Sequence, residues 1–188
     1  TPAPPRLRET FAYSALPGVG RARHMLDDGG ASGFAQWLAS STRLLIADAS
    51  LERLQTPLLT SPVRTAELCE LAAGIVRLAP EINVLEVMSP QAFGDAINEA
   101  RECPFRRIEE IRRVAPGLVL RASLSAASAL GENVAPRSAF ASTADELVDA
   151  GIDIIRIGDP YNDTARLTAA VTAATLSDSI VEGIVSIN

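Results

Sequence analysis

The sequence contains no lysine: all 17 of its basic residues are arginine. That absence excludes a Schiff base and a carbamylated-lysine metal bridge, two devices open to barrel enzymes, because both start from a primary amine. It also points to an Ala- and Arg-rich, GC-rich bacterial genome. Histidine is confined to His24, which precedes the first strand pattern and stands apart from any strand-end chemistry. Cysteine is limited to Cys69 and Cys103; they lack metal-ligand spacing and are expected to be reduced. Aromatics make up 4% of the chain and its net charge is −6, with no concentrated cationic stripe, so a nucleic-acid partner is not expected. Arg106, Arg107, Arg112 and Arg113 alternate with Glu109 and Glu110 and read as a solvated helix face. No apolar run approaches the roughly 18 residues of a membrane span, and no signal-peptide pattern leads the chain, so a cytoplasmic protein without membrane contact is expected.

What is present is enough apolar sequence, 47% of 188 residues, to bury one sizeable core. Residues 1–20, with Pro2, Pro4, Pro5 and the Pro17-Gly18 turn, read as an extended N-terminal arm. Residues 21–43 carry Met25, Leu26, Phe34, Trp37 and Leu38 around a Gly29-Gly30 break and read as a cap of two short helices. Over 44–188 a beat repeats. Continuous apolar runs at 44–47, 82–87, 118–124, 152–157 and 180–187 alternate with helical patterns at 64–78, 92–114, 142–150 and 163–176. Continuous apolar strands between amphipathic helices mean parallel strands covered by helices. Pro104 divides the 92–114 stretch into two helices. Ser142-Thr143 offers an N-cap for the next helix and Gly151 a C′ residue after it. An open doubly wound sheet and a partial barrel both fit, though no G-x-G-x-x-G follows the first strand.

Several segments tip the choice. Residues 45–65, LIADASLERLQTPLLTSPVRT, resemble the first strand and loop of biotin-dependent carboxyltransferase domains, those of pyruvate carboxylase and oxaloacetate decarboxylase. Glu86-Val87-Met88 resembles their second-strand E-V-W, and Cys103-Pro104-Phe105-Arg106-Arg107-Ile108 their D-P-W-E-R-L. The segment from Gly151 to Asp163 resembles G-I-D-I-F-R-I-F-D-A-L-N-D, and Glu182-Gly183-Ile184-Val185-Ser186 resembles Q-G-T-I-S. The cap also resembles that of actinobacterial pyruvate carboxylase. The resemblance implies an α/β fold: a partial (β/α) TIM-like barrel of about five parallel strands with an N-terminal helical cap. It also exposes departures. The family's Arg-Asp pair, a substrate contact and a metal ligand, falls on Glu52-Arg53; a cation cannot ligate a cation, so no metal and no cofactor is expected on this chain. The third-strand L-L-R-G-Q-N becomes Leu124-Ser125 and then Ala126-Ala127-Ser128, so the family's arginine falls at Ser125. The second-strand W-G-G-A becomes Met88-Ser89-Pro90-Gln91.

Barrel ligands meet the loops at the C-terminal ends of strands. The candidate substrate-binding residues are therefore Asp48, Arg53, Met88, Ser123, Ser125, Arg156, Tyr161 and Ser186, with Glu86 and Asp159 as candidate catalytic groups. A carboxylate inside a strand needs a partner or an altered pKa, and Arg156 is the partner expected for Glu86. As a structural pair they would pin strand two to strand four; as a site they would grip a carboxylate or carbonyl and donate a proton. Asp159-Pro160 reads equally as a turn in which Asp159 accepts backbone hydrogen bonds. Asp48 and Arg53 read as a reworked site or as an ion pair fixing the loop.

Three functions fit these residues. One is a degenerate carboxyltransferase relative whose metal-free, widened pocket binds or transforms an apolar or acyl-type small molecule in bacterial secondary metabolism. Another is a non-catalytic subunit docking on a carboxylase or other chain, and a third is a working carboxyltransferase fragment. A five-strand piece leaves an unpaired edge and an uncovered interior, so a homo-oligomer or a second chain completing the barrel is also expected.

Overall fold

The computed structural model describes residues 20–55, 62–130, 134 and 136–187. The expected N-terminal arm, save Gly20, and the 56–61 part of the first-strand motif lie outside them. The element order is α1 (Arg21–Ser40), β1 (Ile46–Asp48), α2 (Ser50–Leu54), α3 (Thr65–Leu78), β2 (Ile82–Met88), α4 (Pro90–Asn98), α5 (Pro104–Val114), β3 (Val119–Ser125), α6 (Arg137–Asp149), β4 (Ile154–Gly158), α7 (Thr164–Ala174) and β5 (Ile180–Ile184). All four strand pairs are parallel, and the spatial order β1-β2-β3-β4-β5 follows the chain. The five-stranded parallel α/β architecture is the expected one, and the sheet is open: β1 and β5 are its edges among the described residues.

Local chemistry explains the boundaries. Ser89 accepts a hydrogen bond from the Ala92 amide at 3.2 Å and Pro90 occupies the first turn of α4, where a missing N–H costs nothing. Pro104 opens α5 in the same way. At the end of α6 the Ile152 amide donates to Leu147 O and the Gly151 amide to Val148 O, the paired bonds of a Schellman ending. Gly151 adopts φ +109, and a Cβ there would stand 3.0 Å from Arg112 Cγ. One expectation is corrected, and one element was not anticipated. Ser142 and Thr143 do not cap α6, which starts five residues earlier at Arg137 behind Pro136; Thr143 Oγ1 instead donates to Ala139 O at 2.9 Å inside the helix. The five-residue α2 also had no counterpart in the sequence pattern, being too short to show a period.

The sheet packs differently on its two faces. Leu85, Val87, Leu120, Ala122, Ile155 and Ile157 point toward helices and join Leu68, Ile108, Ile111 and Leu147 in the main core. Each fully buried large aliphatic side chain there contributes about 1.5–3 kcal/mol. On the other face, Val119 and Ile154, with Val84 and Ile180 beside them, receive Ala22 and Phe34 of α1. That cap kinks at Gly30, φ 60, as the Gly29-Gly30 break led one to expect.

The Arg106–Arg113 face is not uniformly solvated, which corrects the sequence reading. Arg107 is buried: its guanidinium donates to Gln55 Oε1 at 2.9 Å, Thr65 Oγ1 at 3.1 Å, Val63 O at 3.2 Å and Glu102 Oε2 at 2.8 Å. Arg112 donates to Gly151 O and Leu118 O at 2.7 Å each and pairs with Asp153. Asp153 also holds Arg23 of the cap at 2.6 Å. Both arginines lie on the helix side that meets its neighbours, and backbone carbonyls and carboxylates satisfy them there.

Candidate functional site

The sheet register builds a charged layer directly above the capped apolar one. Glu86 stands opposite Arg121 on β3, and Arg156 on β4 stands between Ser123 and Glu182 on β5. Alternation along each strand puts these side chains on the α1 face, one step beyond Val84, Val119, Ile154 and Ile180. Glu86 Oε2 accepts from Arg121 Nη2 at 2.9 Å, Arg121 Nε at 3.2 Å and Arg156 Nη1 at 3.1 Å. Its other oxygen accepts from the Ser123 hydroxyl. Glu182 Oε2 accepts from Arg156 Nε at 3.1 Å and Arg121 Nη1 at 3.5 Å. Two guanidiniums thus balance two carboxylates across four strands.

This layer unites three of the sequence candidates, Glu86, Ser123 and Arg156, with two residues the sequence reading passed over, Arg121 and Glu182. A signal was available: each is a charged residue inside an apolar strand run, and unpaired charge is not tolerated there. Asp159, at the end of β4, is buried and accepts from the Tyr161 and Asp163 amides at 2.8 and 3.2 Å and from Arg166 at 2.9 Å. Burial pushes its carboxyl up, but these donors outweigh it and hold Asp159 below the usual carboxylate range.

The remaining candidates do not converge on one point. Asp48 accepts from the Ser50 amide and hydroxyl at 2.9 and 3.0 Å, while the exposed Arg53 lies 3.3 Å from Glu52. Ser125 receives the Ala127 amide at 3.3 Å. Tyr161 is 87% exposed, and the backbone of Ser186 is bracketed by the Asn162 amide at 2.6 and 2.9 Å. Met88 is fully buried in the helix-side core. The register shift between Glu86 and Met88 breaks the alternation that would have kept it beside Glu86.

The mouth of β1 does not fit a divalent ion. Its carboxylates are engaged, Asp48 with Ser50 and the buried Glu52 with the Ser89 hydroxyl at 2.6 Å, and Arg53 adds positive charge. Among the described residues, no group of three or more His, Cys, Asp or Glu side chains could hold a metal. No helix there is long and apolar enough to cross a membrane. Two clefts, of about 570 and about 670 Å³, lie at the opposite end of the sheet. One lies beside Trp37, Arg43 and Leu44, the other beside Arg23, Asp27 and Asp153.

No family model matches the chain. It is, however, similar to pyruvate carboxylases along most of its length. It is 26% identical to that of Staphylococcus aureus over 174 residues, 93% of this chain and 15% of the relative. The Bacillus subtilis protein is 26% identical over 160 residues, and the human mitochondrial protein 26% over 157. The chain spans about 15% of the length of the curated relatives it matches. Among solved structures, the carboxyl transferase domain of Rhizobium etli pyruvate carboxylase with pyruvate and biocytin superimposes with a TM-score of 0.82. It is 23% identical, over 89% of this chain and 28% of that one. The α/β fold therefore matches that of the carboxyl transferase domain, here with five parallel strands in an open sheet.

Proposed function

We propose that this carboxyltransferase-type part-barrel binds a small acyl-type carboxylate at Arg156, without metal-dependent carboxyl transfer. One observation carries the reading: Arg156 presents two guanidinium nitrogens to carboxylates inside the sheet face, with Ser123 opposite it in register. A guanidinium so placed matches carboxylate geometry. The Rhizobium etli domain with pyruvate supplies a ligand chemistry to try. Glu86 and Asp159, the candidate catalytic acids, already accept donors on both oxygens, which favours binding over proton transfer. Asp48, Arg53, Ser125, Tyr161 and Ser186 then form the outer rim that ligand passes. Calorimetric titration with sodium pyruvate tests this: binding is expected for the native chain and is lost in Arg156→Gln. Oxaloacetate decarboxylation by this chain alone, dependent on added Mg²⁺, Mn²⁺ or Zn²⁺, would overturn the metal-free part.

A second reading, a docking subunit, draws on the two sheet edges. Leu44 is 87% exposed before β1, and Val185 and Ile187 are 70% and 93% exposed after β5. An apolar, unpaired edge is a template for another strand, supplied by a second copy or by a chain completing the barrel. Light scattering at micromolar concentration that returns the monomer mass counts against self-association.

A further inference from the structure

We infer that Glu182 is an internal stand-in for the ligand's carboxylate, a tethered competitor that gates Arg156. The inference rests on the binding reading above and assigns the group that tunes it. The two carboxylates of the charged layer are not equivalent. Glu86 has an 8% exposed side chain and takes three guanidinium bonds of 2.9–3.2 Å as well as the Ser123 hydroxyl. Glu182 has a 32% exposed side chain and, among the described residues, two hydrogen-bonding partners, at 3.1 and 3.5 Å, both on one oxygen. It also sits on β5, which pairs on one side alone among the described residues. When an anion enters, the inner carboxylate stays and the outer one yields, because fewer and longer bonds hold it and water can solvate it on release.

The two donors that Glu182 vacates, Arg156 Nε and Arg121 Nη1, are those a ligand carboxylate would take. Next along the same face, Ile184 packs on Gly158, where an added Cβ would come within 3.3 Å of Ile184 Cδ1. That is an apolar wall suited to a short acyl chain. The ligand class is therefore a small monocarboxylate with a compact apolar body. A site filled by its own side chain shows an affinity reduced by the fraction of time it stands open.

Calorimetric titration of the full chain with sodium pyruvate and sodium acetate decides the matter, with acetamide as the uncharged control. Glu182→Gln should bind pyruvate about ten-fold more tightly than the native chain, the order of one charge-assisted competitor removed. Glu182→Asp, one methylene shorter, should move the same way and stands in if the first variant folds poorly. Asp178→Asn, an equal charge change at an exposed position, should leave affinity unchanged, which separates a local competitor from the general field. Unchanged or weaker binding in both Glu182 variants, alongside Arg156-dependent binding by the native chain, overturns the gate and leaves the site standing. Absence of binding in the native chain and in every variant overturns both.

Discussion

Replacing Glu86 by leucine should destabilise the protein far more than a surface charge deletion would, and the size follows from its surroundings. Glu86 and Arg121 each have side chains 8% exposed. With Glu86 gone, Arg121 keeps among the described residues the 3.5 Å contact to Glu182, which Arg156 already shares. Breaking a buried pair on one side costs about 3–5 kcal/mol, because a charge is left without a partner away from water. For a chain of this size that lowers the melting temperature by about 6–20 °C. Arg121→Leu should cost less, about 2 kcal/mol, since Glu86 retains Arg156 and Ser123. In the double variant the layer reduces to Arg156 and Glu182, one charge of each sign 3.1 Å apart. Its loss should therefore fall short of the sum of the single losses by at least about 1.5 kcal/mol. Urea unfolding followed by far-ultraviolet circular dichroism measures all four corners of the cycle, provided the denaturant slope is constant. Additive losses, or a Glu86→Leu cost below about 1 kcal/mol, would refute the view of the layer as one mutually compensated unit.

Three further outcomes follow from the geometry. Gly151→Ala should cost on the order of 1–3 kcal/mol, because its positive φ strains any Cβ and Arg112 Cγ stands 3.0 Å away; a neutral effect in thermal unfolding would mean that the α6 ending is not held as described. For Glu102, burial pushes the carboxyl up, but hydrogen bonds from Arg107 and Thr65 hold it below its usual range, as donors do for Asp159. A depressed folded value stabilises above the unfolded one, about pH 4–4.5, and that stability drains away as pH falls through the folded value. Asp159→Asn should flatten the acid limb of a urea-midpoint profile between pH 7 and 2, and an unchanged limb would sink the assignment. Burial pushes the Cys69 thiol up to about 11, so iodoacetamide at pH 8 should modify the exposed Cys103 first and the half-buried Cys69 more slowly. Equal rates in peptide mass spectra would contradict this.

The parallel βα beat was legible because buried parallel strands write themselves as unbroken apolar runs, and Ile82–Met88 and Ile154–Gly158 fall where those runs lie. Pro104 and Gly151 were legible for the same reason: backbone geometry restricts which residues can stand there. The charged layer was only half legible. Glu86 with Arg156 could be paired by reasoning that a strand-borne carboxylate needs a cation. The roles of Arg121 and Glu182 depend on how strands far apart in sequence come into register. Met88, the last residue of β2, went astray through the register shift beside it, which places it with Val87 in the helix-side core. Arg107 and Arg112 went astray because helix charge patterns do not reveal which flank of a helix its neighbours cover.

The strand order, which repeats the order of synthesis, carries a consequence for how such a chain comes into being. Each new βα unit has its docking surface already laid down by the unit before it, so no long excursion must close before contacts form. Folding can proceed in the direction of translation, and whole units could be appended at the β5 side without rethreading those already in place.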